Sequence, residues 1–248
     1  SIYTADVSGT DSTAQYNTAY GIGALDAVTT GDKNTAVGYN AGTALTEGTG
    51  YNVFVGWSAA AANTTGDFNT ALGAAALATA TTSDNNIAIG PSALYSSDTE
   101  THNLAIGRDA LNVVNSGGEY NIAIGSYSLD ALTSADSVVA IGYNAGTAVT
   151  TGGESVYIGY ACGDANTEGV KNVGVGSHAL GGVTTGDYNI GIGQGALYSP
   201  DTENHNIAIG ESSMSGSVAG GEYNVAIGNY TLDALTSGDK NTCIGYDA

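Results

Sequence analysis

Apolar and polar positions alternate in short bursts that recur along the whole chain. The recurring unit is N-x-A-[I/V]-G, and its closing glycines fall at Gly21, Gly38, Gly56, Gly73, Gly90, Gly107, Gly125, Gly142, Gly159, Gly176, Gly193, Gly210, Gly228 and Gly245. Every spacing is 17 or 18 residues, which makes about fourteen coils and leaves no break large enough for a separate domain. One residue before the glycine stands an aliphatic residue, as in Val37, Ile89, Ile106 and Ile192; three before it stands Val, Ile, Leu or Thr. Between them sits a small residue, typically Ala36, Ala71, Ala88, Ala105, Ala123, Ala140, Ala208 or Ala226. Period-2 alternation with β-branched residues on one face predicts a short strand.

A second strand is expected after the glycine, where a small residue such as Ala93 precedes Leu or Gly, as in Leu94. Turn residues follow, as in TTGDKN at 29–34, TTGDFN at 64–69 and TTGDYN at 184–189. Two short strands and two turns cannot bury an apolar side alone, but stacked coils can. The expected fold is therefore all-β: a parallel β-solenoid in the flattened β-roll form. Residues 1–15 fit the repeat poorly and are expected to form an N-terminal cap or arm, with 16–248 as one repeat domain. A six-coil super-repeat overlies the short one, since SALYSSDTETHNLAIG (92–107) returns as GALYSPDTENHNIAIG (195–210).

Asparagine opens nearly every strand: Asn34, Asn69, Asn86, Asn103, Asn121, Asn189, Asn206 and Asn224 belong to a column broken only by Val138 and Ser155. Asn tolerates the left-handed backbone of a tight corner, and stacked Asn side chains hydrogen-bond along a solenoid. The column reads as structural.

Composition narrows the function. The formal net charge is −20, with only four Lys plus Arg. Too few cations are present to neutralise phosphates, which excludes nucleic acid as a partner. No apolar run approaches the roughly 20 residues that span a bilayer. Gly191, Gly193 and Ala196 match the G-x-G-x-x-[G/A] nucleotide fingerprint, but Gly174, Gly176 and Ala179 match it one coil earlier. The match belongs to the repeat, and the next coil leaves no room for the helix the fingerprint needs. No catalytic constellation stands apart from the repeat, so no enzyme is expected. His102, His178 and His205 are spread too far along the stack for a zinc site, and Cys162 and Cys243 lie five coils apart, too far for an intrachain disulfide. Asp32, Asp67, Asp84, Asp136, Asp187 and Asp239 share one turn column, read as a solvated acidic surface; calcium is the one cofactor the column leaves open. Thr64-Thr65, Thr150-Thr151 and equivalent pairs sit in turns rather than on a flat strand, which disfavours ice binding.

The NxAIG strand followed by a small-residue run resembles the head repeats of trimeric autotransporter adhesins and similar repeats of phage tail fibres. The resemblance covers about residues 16–248, although these coils are longer than the roughly 14 residues of the adhesin heads. It implies a left-handed β-roll, three chains side by side, displayed outside the cell or on a virion for attachment to a host-surface protein or glycan. The alanines between the apolar residues are expected to face away from the interior, where a continuous small-residue column admits another backbone. They are the expected oligomer interface. Tyr39, Trp57, Tyr143, Tyr160 and Tyr246, one residue after the glycine, are candidates for an adhesive surface. The expected function is a structural and adhesive fibre segment, a rigid spacer with an attachment surface. The alternatives are a filament subunit polymerising end to end by coil stacking and, third, an ice-binding solenoid.

Overall fold

The computed structural model describes residues 14–48, 50–113, 117–199, 202–216 and 220–248. The expected cap or arm therefore lies, apart from its last two residues, outside the described residues. The chain is all-β, with no helix among the described residues, and it divides into two compact units at Asn121/Ile122. The first holds β1 (Thr18–Tyr20), β2 (Thr35–Val37), β3 (Val53–Val55), β4 (Thr70–Leu72), β5 (Ile87–Ile89) and β6 (Leu104–Ile106). The second holds β7 (Ile122–Ile124), β8 (Val139–Ile141), β9 (Val156–Ile158), β10 (Val173–Val175), β11 (Ile190–Ile192), β12 (Ile207–Ile209), β13 (Val225–Ile227) and β14 (Thr242–Ile244). Within each unit the strands pair in parallel, in chain order and in register, as Ala88↔Ala105 and Ala208↔Ala226 illustrate. Each unit is a parallel β-solenoid.

The expected second strand is a pair of turns. Ser92 and Leu94 have φ of 55° and 51°, and Ala75 and Leu77 have 56° and 53°, so left-handed residues alternate with right-handed ones. An extended strand would send neighbouring side chains to opposite sides. Here the left-handed steps turn both Ala93 and Leu94 inward, where each is fully buried. The segment still stacks coil on coil, with Leu77 N–H donating to Ala93 C=O at 3.0 Å and Thr79 N–H to Tyr95 C=O at 3.1 Å.

The corner before each strand is held by asparagine. The Asn189 amide accepts the backbone N–H of Asn206 at 3.0 Å, and its Nδ2 donates to the carbonyl of Glu203 at 2.7 Å, near the end of its own coil. Asn86 does the same with Asn103 N–H at 2.9 Å and the Glu100 carbonyl at 2.8 Å. One side chain thus closes its coil and ties it to the next. At the odd position, Ser155 Oγ accepts the N–H of Asn172 at 3.0 Å but cannot reach across the coil.

The aspartate column, exposed at Asp136 and Asp239 and half-buried at Asp67, Asp84 and Asp187, is also a second ladder. Asp84 Oδ1 accepts the N–H of Asp67 at 2.7 Å, Asp187 Oδ1 that of Val170 at 2.8 Å, and Asp239 Oδ1 that of Glu222 at 2.9 Å. The threonine column is a third. Thr64 and Thr65 N–H both donate to the Thr81 carbonyl, at 2.8 and 3.3 Å, and Thr64 Oγ1 adds a bond at 3.0 Å. Before two of the three 18-residue coils, those at 107–125 and 210–228, a buried glutamate takes over. Glu100 Oε2 accepts the N–H groups of Asp98 and Thr99 at 2.7 and 3.0 Å, and Oε1 that of Gly117 at 3.0 Å. Glu203 does likewise for Thr202 and Gly220, at 3.0 and 2.7 Å.

The core is thin and made of alanine and leucine. Two coils place an aromatic ring where others have the strand alanine, namely Phe54 and Tyr157, both fully buried. Each ring fills the space left by a missing leucine: a Cβ on Gly42 would lie 2.7 Å from the Phe54 ring, and one on Gly163 would collide with the Tyr157 ring. Burial pushes the Tyr157 phenol and the neighbouring Cys162 thiol each up to about 12.

Replacing Asn189 by Ala leaves a buried donor and a buried acceptor without partners. The expected loss is about 2–4 kcal/mol in urea unfolding, with Asn189→Ser between it and the parent because Ser keeps the acceptor. Cys162 is a buried, protonated thiol and Cys243 is partly exposed. At pH 8 Ellman's reagent is expected to titrate one thiol in the folded protein and the second only in denaturant.

Candidate functional site: the outward sheet face

Strand alternation divides the side chains opposite to the sequence expectation. Ala36, Ala71, Ala88, Ala105, Ala123, Ala140, Ala208 and Ala226 all have 0% exposure in the single chain. They point into the roll, and the expected oligomer interface is not there. The reason is space: the inward strand position faces the turn segment across a thin lumen, which leaves room for little more than a methyl group wherever that segment supplies a leucine. The aliphatic residues on either side therefore point outward. Leu72 is 45% exposed and Ile87 41%, and Ile141, Ile158, Ile192 and Ile227 are exposed as well.

Two further columns border the strands. Tyr39, Trp57, Tyr143, Tyr160 and Tyr246, one residue after the glycine, are all exposed, and Tyr143 and Tyr160 stack at 5.6 Å and 12°. On the other border, five before the glycine, lies an aromatic column that sequence reasoning missed. Tyr51 stacks on Phe68 at 5.2 Å, His102 on Tyr120 at 5.0 Å, and His205 between Tyr188 and Tyr223 at 4.9 and 4.7 Å. The signal was present in the variable residue of T-T-G-D-x-N. These residues hold φ near 60°, as in Tyr51 at 62° and His205 at 58°. The left-handed turn aims each side chain outward while the following asparagine turns in.

Ring orientation limits what this column can bind. Tyr188, His205 and Tyr223 lie within 7° of parallel and spend their faces on one another. Lys171 covers the far side of Tyr188 at 5.2 Å and donates a hydrogen bond to its hydroxyl at 3.3 Å, which raises the lysine pKa. The rings present edges to solvent, so the column is a ladder rather than a set of flat sugar platforms.

Charge follows the same partition. All four cations, Lys33, Arg108, Lys171 and Lys240, stand in the two border columns. Of the 24 acids only Glu154 and Glu211 do. Among the described residues, every exposed large apolar side chain except Tyr95, Val113 and Tyr198 lies in the border columns or the two outward strand columns. Each unit thus carries an apolar face rimmed by cations on an otherwise acidic chain.

Other candidate chemistry is not assembled. Among the described residues no group of three or more His, Cys, Asp or Glu side chains gathers as a metal site would require. No described helix is long and apolar enough to cross a membrane. Asn63, which opens an Asn-Thr-Thr glycosylation sequon, is fully buried, whereas Asn229 is exposed. The chain matches no known family model, no curated protein and no solved structure.

Asn63 and its super-repeat counterpart Asn166 have 0% exposure, and neither amide has a hydrogen-bond partner for its oxygen or its nitrogen. Equivalent positions elsewhere hold Val149 and Val183. Asn166→Val is therefore expected to stabilise the protein by about 1–3 kcal/mol, read as a higher urea midpoint; a lower midpoint would show that the amide has a partner in solution.

Proposed function

We propose that this chain is a structural and adhesive segment of an extracellular or virion fibre, a stiff spacer that carries an attachment face along its length. The observation that carries this reading is the outward face itself. Aliphatic side chains recur in the strand columns facing outward from each solenoid unit, aromatic side chains recur in the columns that border them, and only two of the 24 acids stand there. Monomeric soluble proteins seldom leave contiguous apolar patches beyond a few hundred Å² uncovered, and larger ones mark contact surfaces. Stiffness is supported by the asparagine, aspartate and threonine ladders, which repeat in coil after coil and make every corner depend on its neighbours. The resemblance to adhesin-head and tail-fibre repeats points the same way, and it carries with it the left-handed winding and the extracellular or virion setting.

A spacer holds its shape, so its strand amides exchange slowly and together. Hydrogen exchange followed by mass spectrometry on the intact chain is expected to show protection lasting hours across β2–β5 and β8–β13, with exposed turn residues exchanging first. Exchange of those strands within seconds would overturn the spacer reading.

A further inference from the structure

This inference rests on reading the outward face as an attachment surface and names what covers it. We propose that the occupant is a second copy of this chain, laid face to face on the same columns.

The first reason is that the face needs an apolar partner, and among the described residues each unit offers such a surface only in these columns. Outside the four outward columns, the described residues expose only Tyr95, Val113 and Tyr198 among large apolar side chains. The second reason is charge. A chain of formal charge −20 repels its own copies wherever two acidic surfaces meet. The outward face is the one place where that repulsion is lifted, since it holds all four cations and two of the 24 acids. The third reason is area. Eight parallel strands at about 4.8 Å spacing, with the border columns about 17 Å apart across them, give the second unit a face of roughly 600 Å². Two copies would bury roughly 1,200 Å² there, the lower bound for a stable specific interface, before the first unit adds its own face. Two in-register sheets of β-branched side chains also suit each other in shape, because packed sheets interdigitate such columns about 10 Å apart. A two-fold arrangement gives both copies the same contacts and leaves no face uncovered.

On the border with the aromatic ladder, ring stacking argues against a glycan, because Tyr188, His205 and Tyr223 spend ring faces on one another.

The test is sedimentation velocity of the full chain from 1 to 100 µM, roughly the range in which such an interface forms. It is paired with the emission of the single tryptophan, Trp57, which stands 59% exposed on the rim. The parent protein is expected to run as a discrete species of two-chain mass, with Trp57 emission moving to shorter wavelength as it forms; a discrete three-chain mass would overturn the pairing. Ile158→Glu combined with Ile192→Glu places two acids in the outward column and is expected to weaken association at least about 30-fold. Thr151→Glu combined with Thr185→Glu adds the same charge at the turns and is expected to weaken it far less. Ile158→Ser with Ile192→Ser serves if the glutamate pair fails to fold, as judged by far-UV circular dichroism. A parent protein at one-chain mass throughout, or an assembly that survives the face substitutions, would overturn the proposal. A one-chain protein with slowly exchanging strands would sink the pairing and leave the spacer reading standing; rapidly exchanging strands would remove the spacer whatever the mass.

Discussion

A backbone that turns a sharp corner every few residues leaves polar groups pointing into a lumen too narrow for solvent. Each one needs a partner. In most coils of this protein the amide of a single asparagine meets that demand twice, as Asn189 does by accepting the next coil's N–H and donating to the carbonyl near the end of its own coil. The rest of the architecture depends on that bond pair. It sets where a strand begins, and it keeps consecutive coils in register. It also holds the asparagine's own side chain inward, so that the next residue points outward and the strand alternation starts on a known side.

Much of this was legible because a repeat protein states the same solution many times. The coil length, the position of the first strand and the structural character of the asparagine column are all plain in the order of residues. The failures share one physical cause. Left-handed backbone at Leu94 or Leu77 leaves no mark on sequence, because leucine is a poor choice for that conformation on local grounds alone. The segment therefore read as extended. The direction of the strand faces was hidden for a related reason. Alternation says that two faces differ, but which one points inward depends on the depth of the lumen, and that depth is set by the turn segment that was misread. Once Leu94 is known to fill the lumen, Ala88 has to be inside and Ile87 outside. The interface expectation fell with it, while the aromatic residues after the glycine kept their exposed positions.

Local exchange of volume explains the coils that break the pattern. Phe54 and Tyr157 replace strand alanines without enlarging the roll, because Gly42, Gly146 and Gly163 stand where leucines would compete with the rings. The lumen keeps its filling while the source of the filling moves from the turn segment to the strand. Such swaps can be read within one chain by comparing its own coils, a kind of evidence an unrepeated fold does not offer.

The buried carboxylates of Glu100 and Glu203 have a consequence of another kind. Each supplies acceptors both to its own turn and to a glycine N–H of the neighbouring coil, so the corner stays tied where that neighbour runs one residue long. A corner so equipped works as a socket: chain can be let out there, one residue or a whole loop, while the strands on either side keep their pairing.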